Sequence, residues 1–231
     1  MNYSHYRRIA RENLEGNWGK SLGIAFVAAL FGAMIAGTNV GLELDLDREI
    51  LQKLPRIILS ILAALVSLSS LLSLAHFILG GTVQLGYAQI LLKQYHKQEF
   101  EIEELFSQFH RFKQGFLQRF LRGLYVFLWS LLFIIPGIVA SFKYAMTPFL
   151  MADNPNMTAK EAIAASTELM DGYKGDLFML NLTFIGWDFL ALLTLGIGHL
   201  WLNPYKNAAH AAFYRDLIIH RNSAIEGSVA E

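Results

Sequence analysis

Residues 57–80 read IILSILAALVSLSSLLSLAHFILG without one formal charge, and the uncharged run continues to Leu92. As a helix this stretch is about 36 Å long at 1.5 Å per residue, enough to cross the roughly 30 Å hydrocarbon core of a bilayer. Its serines need not line a channel, because serine can bond its own helix carbonyls. Gly80–Gly81 marks a bend, a packing site or the membrane boundary. The fold class expected from this stretch is all-α, a polytopic helical membrane bundle.

Toward the N-terminus, a short acidic loop at 43–56 separates this block from another, residues 21–42, with no charge before Glu43. Gly19/Gly23 and Ala33/Gly37 have the small-xxx-small spacing of closely packed membrane helices. Ahead of it, Tyr3, Tyr6, Ala10, Leu14 and Trp18 recur at helical steps, with Arg7, Arg8 and Arg11 among them. Residues 3–19 therefore form an amphipathic helix suited to the headgroup region, its charges outward. The plainer reading is a lead-in helix packed on the bundle.

Toward the C-terminus, 93–122 is the most charged stretch and is rich in Lys and Arg. Basic short segments favour the cytoplasmic side. The apolar region 123–151 is broken by Pro136–Gly137, giving either one kinked helix or, preferably, a tight hairpin. Thr158 and Glu161 have capping-box spacing for a helix running to Met170, which Asp171–Gly172 would end. Two last apolar regions, 177–197 and 200–219, are divided by Gly196 and Gly198, and Pro204 lies in the second. The expected domains are an amphipathic 1–20, one membrane domain over 21–219 with cytoplasmic segments near 93–122 and 152–176, and a flexible tail over 220–231. Six spans with both termini cytoplasmic is the preferred topology; four firm spans with two partial ones is the other.

Composition agrees: of 231 residues, 54% are hydrophobic and 16% charged, against about 25% charged in ordinary soluble domains. No cysteine is present, which removes disulfides, thiolate nucleophiles and Cys-based zinc sites. Acidic and basic residues balance at 19 each, so no basic field would draw nucleic acid. No H-E-x-x-H, G-x-S-x-G or G-x-x-x-x-G-K-[ST] pattern occurs. No catalytic residue, metal ligand or cofactor is expected.

Four stretches carry a family resemblance: residues 10–18 (ARENLEGNW), 134–155 (IIPGIVASFKYAMTPFLMADNP), 158–178 (TAKEAIAASTELMDGYKGDLF) and 196–214 (GIGHLWLNPYKNAAHAAFY). Together they resemble the bacterial integral-membrane family known as domain of unknown function 975. The resemblance implies a bacterial cell-membrane protein and brings no established activity or active site.

Lys143 and Asp188 each stand alone in an apolar stretch, where an unpaired charge is expensive. A buried ion pair between them is the expectation, beside the plainer one that each snorkels to an interface. Pro136, Gly137, Gly196, Gly198 and Pro204 are candidate hinges. The leading function is a membrane scaffold or accessory protein; a small transporter or permease, or a lipid-handling membrane protein, is the alternative. Expected partners are membrane lipids, a protein at the cytoplasmic face and a second copy of the chain.

Overall fold

The computed structural model describes residues 3–30, 56–194 and 196–229. The second half of the 21–42 block, with its Ala33/Gly37 pair, and nearly all of the 43–56 loop lie outside the described residues. Among those described, every regular element is helical. In order these are α1 (Tyr3–Leu14), α2 (Trp18–Leu30), α3 (Arg56–Tyr95), a 3₁₀ helix (Ile102–Arg111), α4 (Phe112–Leu132), α5 (Ile134–Lys143), α6 (Thr147–Asp153), α7 (Ala159–Leu169), α8 (Lys174–Leu182), α9 (Ile185–Leu193) and α10 (His199–Val229).

The stretch 57–80 belongs to a longer helix, since α3 runs on through Gly80–Gly81 to Tyr95. From Gly80 to Leu92 nearly every residue is buried. A helix buried on all sides must be apolar all round or have its polar groups satisfied. Gln94 accordingly donates to the Asn13 carbonyl at 3.2 Å and to Ser21 at 2.9 Å, fastening the α1–α2 junction to α3. The two glycines act as packing sites: a Cβ on Gly81 would overlap the Gly115 backbone carbonyl, and one on Gly115 would lie 2.8 Å from Thr82 Cα. Side-chain-free surfaces thus let α3 and α4 approach backbone to backbone.

The amphipathic N-terminal helix is shorter than expected. It ends at Leu14, Gly16 adopts a positive φ of 81°, and Trp18 opens α2. Tyr6, Ala10 and Leu14 are buried, so its apolar stripe packs on the bundle, as in the plainer reading. The Tyr6 hydroxyl donates to Asp216 at 2.5 Å and its ring meets Phe213 edge-on; Tyr3 donates to Asp176 at 2.9 Å. Burial, reinforced by Asp216, pushes the Tyr6 phenol well above its ordinary pKa, and the Asp176 hydrogen bond raises that of Tyr3, so both remain donors.

The 123–151 region is a hairpin. Phe133 alone is extended (φ −163°, ψ 155°), α4 ends before it and α5 begins after it. Pro136 falls in the first turn of α5, where its missing amide hydrogen costs nothing. Gly137 lies against Ser130 of the opposing arm. The Thr158 cap forms as the spacing indicates: its hydroxyl accepts from the Glu161 amide at 3.4 Å, and the Glu161 carboxylate accepts from the Thr158 amide at 2.8 Å. Gly172, at φ 79°, ends that segment in a left-handed conformation open to glycine. Where a flexible tail was expected, α10 continues as helix through Val229, and Pro204 lies inside it without ending it.

Among the described residues, two stretches, Ile134–Asp153 and Lys174–Leu193, are long and apolar enough to cross a membrane. Much of the second faces outward. With the α4–α5 tip it forms a bare apolar surface: Leu131, Phe133, Ile134, Ile185, Phe189 and Leu193 are each more than 60% exposed.

Gly81→Ala is expected to destabilise the protein by about 1–3 kcal/mol, since backbone on both sides must shift. Gly175→Ala, whose added Cβ meets nothing within 4 Å, should be neutral or stabilising in the same thermal unfolding assay in detergent. Thr158→Ala should cost about 1 kcal/mol. The Glu161 carboxyl is held below its ordinary pKa chiefly by the Thr158 backbone hydrogen bond. Its contribution is therefore complete above the unfolded carboxyl pKa and lost as pH falls through the folded one, so an acid titration of stability should be shallower in the variant.

Candidate functional site

The α4–α5 hairpin and the α8–α9 stretch stand apart enough to leave a half-open cleft of about 700 Å³, floored by α10. At one end Phe142 meets Phe178 edge-on, with ring centroids 5.8 Å apart. Val126, Leu182 and Ile185 supply apolar wall; Arg122, Asn181, Asp188, Lys206 and His210 supply the polar lining.

Lys143 and Asp188 are not brought together. Both carboxylate oxygens of Asp188 accept from Lys206 Nζ at 2.6 Å, and His199 Nε2 lies 3.6 Å away. Lys143 instead sits over the Tyr144 ring, beside a shallow groove shared with Glu161, Glu168, Asp171 and Lys174. The correction comes from the α9–α10 turn. Gly196, at φ 86°, donates to the Ala191 carbonyl at 3.1 Å, and Gly198 donates to Thr194 Oγ1 at 2.8 Å. A Cβ on Gly198 would lie 2.8 Å from Ala191 Cα, so this glycine lets the returning chain fold tightly back. Asp188 and Lys206 are equidistant from Ile197, so the turn places one opposite the other. That symmetry about the glycine-bounded turn is the signal in the sequence for the pair.

Arg122 was also missed. It is the last charge before the uncharged run 123–142, which could have marked it. Its guanidinium reaches Gln84 Oε1 at 3.4 Å, an oxygen that also accepts from Gln118 at 3.2 Å. Arg119 is close enough for the two positive charges to repel. Among the described residues no carboxylate pairs with Arg122, whereas Arg215 has Asp153 at 2.9 Å and Arg221 has Glu168 at 3.5 Å. His210 is buried; its Nε2 lies 2.7 Å from Asn181 Oδ1, and its Nδ1 has no partner among the described residues.

The candidate hinges divide by role. Pro136 and Gly137 open α5, Gly196 and Gly198 form the α9–α10 turn, and Pro204 is buried within α10. Two polar clusters clamp the chain elsewhere. Arg111 donates to the carbonyls of Met151 and Met157, each at 3.1 Å, across the Asp153–Pro155 turn. Asp153 accepts from Tyr214 at 2.8 Å and Arg215 at 2.9 Å, fixing that turn to α10. Trp18, Trp187 and Trp201 gather with Arg11 around a smaller groove of about 330 Å³.

The cleft's chemistry suits binding. Its carboxylate is neutralised by Lys206, and the Ser141 hydroxyl is engaged with the Ile138 carbonyl at 2.6 Å. Among the described residues no three His, Asp or Glu side chains converge on a metal position. A guanidinium without a carboxylate remains, beside apolar walls.

Replacing Lys206 with Met leaves the Asp188 charge without its main partner and should cost about 3 kcal/mol. Exchanging the two charges, Asp188→Lys with Lys206→Asp, should recover much of the single-variant loss on thermal unfolding. Asp188→Lys combined with Lys143→Asp should remain additive; rescue by that pair instead would give Asp188 to Lys143.

No curated protein matches the chain, and no solved structure matches it. The family described as "Protein of unknown function (DUF975)" matches over residues 1–141 and 131–221, nearly the whole length. The chain, with its all-helical fold and its cleft between α4–α5 and α8–α9, belongs to that family.

Proposed function

We propose that this is a multi-pass protein of a bacterial cell membrane that acts without catalysis, as an accessory protein holding a membrane-borne amphiphile in the cleft. The carrying observation is the cleft itself: a polar lining set between two helical segments whose outer faces are bare and apolar. An exposed apolar surface of that extent is unusual on a soluble monomer and natural against lipid. Amphiphiles are the molecules that meet both kinds of wall at once.

The topology in this reading has six spans: 21–42, the first part of α3, the two arms of α4–α5, the α8–α9 stretch, and the start of α10. Both termini are cytoplasmic, together with the basic 93–122 segment. Trp18, just ahead of the first span, suits an interfacial level, where tryptophan is enriched. The Asp188–Lys206 pair then lies within the apolar depth, where pairing makes both charges tolerable.

Because the chain has no cysteine, single cysteines can be introduced one at a time. In sealed cells, cysteines at Ser4, Lys113 and Ser223 should resist a membrane-impermeant maleimide until the cells are opened. Labelling of any of the three in intact cells would overturn the topology. For the cleft, native mass spectrometry of protein extracted from membranes should find a retained lipid. Gly123 lines the cleft, and a Cβ there meets nothing within 4 Å, so Gly123→Leu should expel the lipid without lowering thermal stability. Equal retention by wild type and variant would place the amphiphile elsewhere, and no retained lipid in either would favour a scaffold role.

A further inference from the structure

We infer that the amphiphile is an anionic phospholipid, its phosphate received by Arg122 and its acyl chains leaving along Val126, Leu182 and Ile185. The inference rests on the cleft being an amphiphile site, as proposed above, and adds the charge and position of the head group.

Charge decides the head. The cleft is lined by two full cations, Arg122 and Lys206, and one carboxylate, Asp188. Lys206 holds both oxygens of that carboxylate at 2.6 Å, so neither charge of the pair is free for a ligand. The net excess is the Arg122 guanidinium, whose one hydrogen bond among the described residues is the long contact to Gln84 at 3.4 Å. A guanidinium carries five donors in a planar fork that matches two phosphate oxygens. Arg119 adds positive potential at the same place. A cationic ligand would meet repulsion there, an uncharged one would leave the guanidinium uncompensated, and a zwitterionic one would bring its own cation into the field of Arg122 and Arg119.

Shape decides the rest. Arg122 stands where the charged first part of α4 gives way to the uncharged run 123–142. A head group at Arg122 therefore sits at the polar end of the hairpin. Chains running from it follow Val126 on one side, and Leu182 and Ile185 on the other, toward the bare surface formed by Phe133, Ile134 and Phe189. Inorganic phosphate would satisfy the guanidinium and leave the apolar walls of the cleft empty.

The experiment uses the full chain in nanodiscs of phosphatidylcholine doped with phosphatidylglycerol, with retained lipids counted by native mass spectrometry after release. Wild type should retain phosphatidylglycerol over phosphatidylcholine by about tenfold or more, because both offer a phosphate but only phosphatidylcholine sets a cation beside Arg122 and Arg119. Arg122→Gln should bring the ratio near one, Arg122→Lys should keep part of the preference, and Lys113→Gln, an exposed change on the same helix, should leave it intact. Thermal unfolding of each variant separates loss of preference from loss of fold. If Arg122→Gln misfolds, the Arg122→Lys ratio decides, because a preference undiminished there would overturn the fork-shaped phosphate contact. Equal retention of both lipids by wild type would overturn the anionic head while leaving the amphiphile cleft standing. Retention of neither would overturn the amphiphile reading itself. Displacement of phosphatidylglycerol by millimolar inorganic phosphate would make this a small-anion site, and an unchanged preference in Arg122→Gln would remove Arg122 from it.

Discussion

The burial of the second half of α3 constrains everything else. Between Gly80 and Leu92 nearly every side chain is enclosed, so neighbours must pack on all sides of that segment. The 3₁₀ helix and α4 cover one side, and α1, α2, α6 and α10 contribute to the rest. Gly81 faces Gly115 with no room for a Cβ between them. This contact sets where α4 starts, and hence where Arg122 sits and where the α4–α5 hairpin projects. The cleft is a gap left outside this tightly packed centre.

Much of the fold was legible because its signals are local. The Thr158–Glu161 box and the Gly172 stop each depend on a few consecutive residues and appear where the pattern put them, whereas the break expected at Pro136–Gly137 falls at Phe133, with both residues inside α5. What was not legible depends on tertiary partners. The stripe Tyr6–Ala10–Leu14 has the same spacing whether it faces lipid or protein; only the arrival of Phe213 and Asp216 decides. Gly80–Gly81 reads equally as a bend or a contact until Gly115 is opposite it. The helix through Val229 follows residues polar enough to have suggested a tail.

The candidate site divides in the same way. Asp188 was recognisable as an isolated charge in an apolar run, but its partner was not, because isolation in sequence says nothing about what folds back against it. Lys143 had the same signature and occupies a different groove. Arg122 escaped notice because a charge at the edge of an apolar run is ordinary at a membrane boundary. It becomes unusual only when Arg215 and Arg221 are seen to have carboxylate partners and it has none among the described residues.

The docking of α1 on α10 has a consequence for biosynthesis. Tyr6 and its acceptor Asp216 are 210 residues apart. At 5–20 residues per second, roughly 10–40 s separate their emergence from the ribosome. For that interval α1 has a finished apolar stripe and lacks the α10 surface that receives it. The nascent chain must shelter that stripe in lipid or against a chaperone, and α10 then displaces whatever held it. Emergence of α10 thereby becomes the event that docks α1, and a chain stalled before α10 is distinguishable from one that includes it by the state of α1 alone.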